Sequence, residues 1–402
     1  MELNNWKISK LNKDIGSRTM LLCNMLDKIR RNEYNTIEPL KQLWVRGEQR
    51  MKKQVSIRDV AREAGVSPAT VSYILNETPN LSFTQETRDK VMAAVEKLHY
   101  VANQAAKTLG SSRVEGMVQS KLIGIVIPQT ENKRKESHIM FGNPFYGTFL
   151  SAVELEIRKA GYHLILSGTN PGQSYIEIVK SRTLDGVIIL GAYPSGDAAE
   201  YKKYNVPSVL VDCYGSDEDF FYSIRTDDRR GGYLATKHLI DKGHTNIAFV
   251  SGELKENGVN SERYLGYMDA LKEAGIKPLK KNLFEGYVDY QYGAEVARKL
   301  AKDRKGITAV FVSSDITAVG LINGLHGLGV SVPDDISVIG FDDVEYAKMC
   351  FPGLTTIRQN IMEKGKQAAR LMIEAAQNHS LPRNERIIPI ELIERGTVKS
   401  IL

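Results

Sequence analysis

Several side chains that could hold a polar small molecule stand at the ends of apolar runs. Asp212 ends VPSVLVD, Ser314 and Asp315 end VFVSSD, and Phe341, Asp342 and Asp343 end VIGFDD. Arg263 opens a helix expected from Ser261. Carboxylates, one arginine and an aromatic ring suit a sugar: the charged groups bond hydroxyl pairs while the ring covers the apolar sugar face. Each aspartate also has a plainer reading, as the cap of the helix that follows its strand. No catalytic set accompanies them. Neither G-x-x-x-x-G-K-[ST] nor G-x-G-x-x-G follows a strand, and there is no nucleophile elbow, H-E-x-x-H or clustered His and Cys. The expectation is a binding protein without enzyme activity, cofactor or metal.

The elements that position these residues alternate between strand and helix. LIGIVIP (122–128), YHLILSG (162–168), DGVIILG (185–191) and VPSVLVD (206–212) read as strands, with helices over 144–160 and near 174–182. A second series follows, with strands NIAFVSG (246–252), FEGYV (284–288), ITAVFVSSD (307–315) and SVIGFDD (337–343). Its helices are expected at 231–242, 261–274, 292–302 and 318–327. Short apolar strands alternating with helices imply parallel sheets covered on both faces, here two doubly wound units. Ligands in such sheets bind at the carboxyl ends of the strands, where Asp212, Ser314, Asp315 and Asp342 fall.

Ahead of this lies Ile57 to Asn76, IRDVAREAGVSPATVSYILN. Ile57, Val60, Ala61 and Ala64 form one apolar helical stripe, and Gly65 suits the positive φ that ends a helix. Ser67 is a good N-cap and Pro68 fits the first helical position. The second helix buries Val71, Ile74 and Leu75, leaving Ala69, Thr70, Ser72, Tyr73 and Asn76 outward. Small hydrogen-bonding side chains on a short exposed helix are what a major-groove reader needs, although an ordinary helical hairpin has the same pattern. A third helix, capped by Thr84 and carrying Val91, Ala94, Val95 and Leu98 on one stripe, closes a small domain by Tyr100.

VSIRDVAREAGVSPATVSYILN resembles the helix-turn-helix of the lactose-repressor/galactose-repressor family of bacterial transcription regulators. The resemblance runs from near Met51 to the C-terminus. It implies an N-terminal all-α helix-turn-helix domain, then an α/β core like that of periplasmic binding proteins, built as two doubly wound parallel-sheet subdomains. Residues 51–100 would be the DNA-binding domain, 101–117 a hinge, and 118–402 the effector-binding and dimerisation domain. Chain crossings between subdomains are expected near 221–225, 353–356 and 382–386. Ser67 belongs to the DNA-contacting stretch, and Pro68, Ala69 and Tyr73 match specificity positions. Asn103 matches the asparagine that opens the family's hinge helix, and Leu109 the leucine that wedges into the minor groove. Arg263 and Asp342 match positions that bind the inducer, with Phe341 adjacent, whereas Ser314 stands where many members carry asparagine. Asn143–Tyr146, NPFY, matches a pocket-lining NPFF-like stretch, which adds Asn143 and Phe145 to the candidates. The implied function is a repressor that binds a pseudo-palindromic double-stranded operator as a homodimer and is modulated by a small-molecule effector, a sugar or sugar derivative. Some members also use a protein corepressor. One departure is the longer, basic run QTENKRKESHIMFG (129–142).

The totals agree. A chain of 402 residues, 42% hydrophobic and 25% charged, holds two or three globular domains. The excess positive charge, +6 overall, lies N-terminal of residue 114, as a phosphate-binding head would have it. Cys23, Cys213 and Cys350 form no disulfide or ligand spacing, and no apolar run would span a membrane, so a reduced, cytoplasmic protein is expected. Residues 1–50 match nothing in the family, and the expectation is that translation starts at Met51. The competing readings are a solute-binding transport protein, which would lack the helical head, and an α/β sugar enzyme fused to a helix-turn-helix, which would need the missing catalytic residues.

Overall fold

The computed structural model describes residues 55–75, 82–98, 100, 120–128, 143–169, 184–191, 206–214, 221–304, 306–377 and 385–402. The chain divides into two compact units, Met1–Ser111 and Ser112–Leu402. The expected helix near 174–182, the extension 1–50, the hinge 101–117 and the loop 129–142 lie outside the described residues.

Unit one contains α1 (Ile57–Ala64), α2 (Pro68–Leu75) and α3 (Gln85–Leu98). Asp59 closes the start of α1 by accepting from both the amide (3.0 Å) and the hydroxyl (2.6 Å) of Ser56. Gly65 stops α1 at φ 69°, and Val66 N–H returns to the Ala61 carbonyl. Ser67 then caps α2 by accepting from Thr70 N–H at 3.0 Å. Val60, Ala61, Val71, Ile74, Val91 and Ala94 form a small buried core. The two-helix turn and its closing third helix are those expected.

Unit two holds two six-stranded sheets. The first is built from β1 (Leu122–Pro128), β2 (His163–Thr169), β3 (Gly186–Leu190), β4 (Ser208–Val211), β5 (Tyr222–Thr226) and β11 (Glu385–Ile388). Its order is β11-β5-β4-β3-β1-β2 and every pairing is parallel. The second contains β6 (Ile247–Gly252), β7 (Leu283–Gly286), β8 (Ala309–Val312), β9 (Ser337–Asp342), β10 (Thr355–Gln359) and β12 (Ile390–Ile393). Its order is β12-β10-β9-β8-β6-β7, with only β10–β12 antiparallel. The helices that cover them are α4 (Pro144–Lys159), α5 (Asp228–Asp241), α6 (Val259–Glu273), α7 (Tyr290–Lys302), α8 (Asp315–His326), the short α9 (Glu345–Met349) and α10 (Ile361–Gln377). Strands buried along their whole length, such as GVIIL in β3 and AVFV in β8, are continuous apolar runs.

The chain passes between sheets three times. It leaves β5 for α5, which lies on the second sheet. It returns from β10 to α10, which lies on the first, and passes from β11 directly to β12. The passages therefore fall at Asp227, Asn360 and Pro389, a few residues beyond the expected positions. β5, β10 and β11 run to Thr226, Gln359 and Ile388 before the chain leaves each sheet.

Candidate functional site

On unit one, the structure turns Ser67, Pro68, Ala69 and Tyr73 outward; Thr70 and Ser72 are half-buried. Tyr73 is 43% exposed, although it is a large aromatic on an eight-residue helix with two core residues. Lys97 bonds Glu63 at 2.6 Å, linking α3 to α1. The result is a short, stably capped helix with an exposed row of small groups and one phenol ring. Asn76, Asn103 and Leu109 lie outside the described residues.

On unit two, the strand ends carry a buried polar network. It begins with Arg263, one turn into α6 and 5% exposed. A Cβ on Gly232 of α5 would lie 2.1 Å from the Arg263 carbonyl, so only glycine there lets the two helices approach this closely. Arg263 Nε donates to Asp228 Oδ1 at 2.8 Å, and Nη1 donates to the Ser313 carbonyl and lies 3.6 Å from Asp342 Oδ1. The guanidinium carbon sits 3.6 Å from the centre of the Phe341 ring. Cation, ring and two carboxylates thus hold one another rigidly.

Asp342 links this group to the passages between sheets. Gln359 Nε2 donates to Asp342 Oδ1 at 2.6 Å, while Gln359 Oε1 accepts from Lys364 Nζ at 2.5 Å and from Thr226 Oγ1 at 3.1 Å. Thr226 ends β5 and Gln359 ends β10, so this amide joins two of the three passages to each other. Lys364 Nζ also donates to both oxygens of Asp212, at 2.6 and 2.8 Å. The Tyr214 hydroxyl lies 2.5 Å from Asp228 Oδ2 and 2.9 Å from the Thr226 carbonyl.

Backbone and charge both depart from the ordinary here. Asp212, Asp342 and Asp343 have φ of 54°, 119° and 57°, in the left-handed region that side chains avoid. Such strain persists only where the surroundings enforce it, and it collects at binding sites. Burial pushes the Asp342 carboxyl up to about 6, against the opposing pull of Arg263 and the Gln359 bond. Burial raises Asp212 as well, opposed by Lys364. The Tyr146 phenol is raised by burial and then by the charges of Asp212 and Asp342.

The expected residues therefore separate. Arg263, Asp342 and Asp212 are joined in one network. Phe341 is fully buried in the second sheet's core, so it acts as the platform under Arg263 instead of presenting a face to a ligand. Asp315 is also without exposure; it accepts from Thr356 Oγ1 at 2.6 Å and Val344 N–H at 3.0 Å, which ties α8 to β10 and the end of β9. Ser314 bonds Thr317 within the first turn of α8. Asn143 caps α4 by accepting from Phe145 N–H at 3.0 Å, and the Phe145 ring stacks on Phe149. Sequence reasoning missed Asp228, Thr226, Gln359 and Lys364. Lys364 had a signal: in IMEKGKQAARLMIEAAQ it shares the apolar stripe of Ile361, Ala368 and Leu371, where a charge demands a buried partner. Asp228 was masked by its neighbour Asp227, which does the ordinary capping of α5.

Residues 56–103 match the family described as bacterial regulatory proteins, lacI family, and residues 236–398 match the periplasmic binding protein-like domain. The chain is similar to the HTH-type transcriptional repressor PurR of Vibrio vulnificus (strain CMCP6), 33% identical over 352 residues that cover 86% of this chain and 99% of the relative. PurR of Mannheimia succiniciproducens is 32% identical over 351 residues, 86% and 99% of the two chains. Among solved structures, the lac repressor dimer bound to operator and the anti-inducer ONPF aligns with a TM-score of 0.67 at 25% identity, over 86% of this chain and 100% of its own. The transcriptional regulator CelR–cellobiose complex aligns with a TM-score of 0.61 at 26% identity, over 85% and 99%.

Proposed function

The chain belongs to the lacI family of bacterial regulatory proteins and is a DNA-binding transcriptional repressor with an effector site, and we propose that the effector is a sugar or sugar derivative. The observation that carries this reading is the Arg263–Asp342 pair at the strand ends of the second sheet. A guanidinium and a carboxylate 3.6 Å apart present donors and an acceptor at the spacing of adjacent hydroxyls. CelR, whose structure is a cellobiose complex, supports the same chemistry by likeness. Tyr146, half-buried and edge-on to Phe145, is the ring we assign to the sugar face in place of Phe341.

The mechanism is linkage. An effector that prefers one arrangement of the two sheets shifts the chain toward it, and operator affinity changes by the same coupling free energy. Gln359 sits where such a change must pass, because it bonds both passages and both sheet ends. The operator would be a pseudo-palindrome read by two copies of α2 through Pro68, Ala69 and Tyr73. The apolar side chains Tyr346, Met349 and Phe351, exposed around α9, suit burial between two copies of the chain. The missing catalytic motifs argue against an enzyme. A thermal-shift screen of neutral sugars, sugar phosphates and nucleobases tests the effector class, since a ligand that binds only the folded state raises the melting temperature. A neutral sugar is expected to do so; a response confined to nucleobases would contradict the sugar reading.

A further inference from the structure

Lys364 is 0% exposed, a rare state for lysine that is tolerated only when the ammonium is fully paired. All three of its N–H donors have acceptors: the two oxygens of Asp212 and Oε1 of Gln359. The ring centre of Phe145 lies 5.7 Å from Nζ. These groups come from the end of β4, the end of β10 and the start of α4, so they converge from three separate parts of unit two. Asp212 holds its carboxylate there from a left-handed backbone, at φ 54°. A carboxylate offering both oxygens, an amide oxygen and an aromatic ring around one nitrogen is the chemistry that binds a primary ammonium ion.

We propose that the Asp212 carboxylate at the end of β4 forms an ammonium-binding subsite that this chain fills with its own Lys364. Lys364 is then a specificity-determining residue. It closes Asp212 to external ligands and leaves recognition to Arg263 and Asp342 on the other sheet. That consequence for the effector rests on the Arg263–Asp342 pair being the effector site; the subsite itself does not. The energetics agree, since Asp212 without a cation would be a buried, unpaired carboxylate.

The test uses the full chain and one small amine. Lys364→Ala removes three methylene groups and the ammonium, which n-propylammonium chloride replaces. The variant is expected to melt about 5–15 °C lower than the wild type. Millimolar n-propylammonium should restore much of that loss with a saturable dose response, while 1-propanol and sodium chloride should not. The wild type should not respond, because its subsite is full. In Asp212→Asn/Lys364→Ala the amine should have no effect. Equal rescue by 1-propanol, rescue of the double variant, or no rescue of a folded Lys364→Ala would overturn the proposal. Should Lys364→Ala fail to fold, Asp212→Asn/Lys364→Met decides. Stability above that of either single variant supports a closed ion pair, and a loss equal to the sum of the single losses overturns it. Failure to bind DNA or sugar would overturn the functional reading while leaving these melting curves unchanged.

Discussion

Asp342 bonds Gln359, faces Arg263 and is held in a region where ionisation is costly. With a folded value near 6 and an ordinary value of 3.8, it binds its proton more tightly when the protein is folded. Stability therefore falls as pH rises from below 4 to above 6, by up to about 3 kcal/mol for this group. Asp342→Asn removes that titration. Its stability relative to the wild type should improve by about that amount across the same window, measured by urea unfolding at a series of pH values. A constant difference would show that Asp342 ionises normally. On α2, Tyr73→Ala should change base preference by about 1–3 kcal/mol at one position per half-site, read from selection out of random DNA. An unchanged profile would remove Tyr73 from the recognition surface.

Among the elements, α10 decides where the network can form. A Cβ on Gly365 would lie 2.7 Å from Ala152 Cβ and 2.8 Å from the Phe149 carbonyl, so α10 rests directly on α4 at that point. Gly365→Val gains a little helix propensity but must push the helices apart, for a net loss of about 2 kcal/mol by urea unfolding. No loss would mean that the contact is looser than described. The sequence made much of this architecture legible, because α1 and α2 carry helical apolar stripes and the fully buried strands are continuous apolar runs. It did not reveal β5, whose YSIRT is buried only at alternate residues. The reading also ended at β9, before TTIRQ, ERII and IELI. These strands of four or five mixed residues lack a pattern of their own and are held by neighbours distant in sequence. Gln359 and Lys364 lie in that stretch, which is why half of the network was invisible. Arg263 and Asp342 were named because they stand near the ends of strong elements and match family positions. Asp315 and Phe341 stand there too, but folding turned them inward.

For the whole molecule, assembly and coupling are the two claims to measure. Phe351 is 90% exposed, Met349 68% and Tyr346 47%, all within six residues of chain. If two copies of the chain bury this patch, Phe351→Asp should raise the dimer dissociation constant at least tenfold in sedimentation equilibrium. An unchanged constant would place the dimer contact elsewhere. The central claim is that DNA binding on unit one and ligand binding on unit two are linked through the passages between sheets. Its most direct measurement is fluorescence anisotropy of the full chain on a selected operator, with and without the sugar found by thermal shift. The wild type is expected to change operator affinity by roughly 5–150-fold with ligand, whereas Arg263→Lys should bind operator normally and respond to the same sugar little or not at all. An operator affinity that the sugar leaves unchanged in the wild type, or shifts equally in Arg263→Lys, would contradict it.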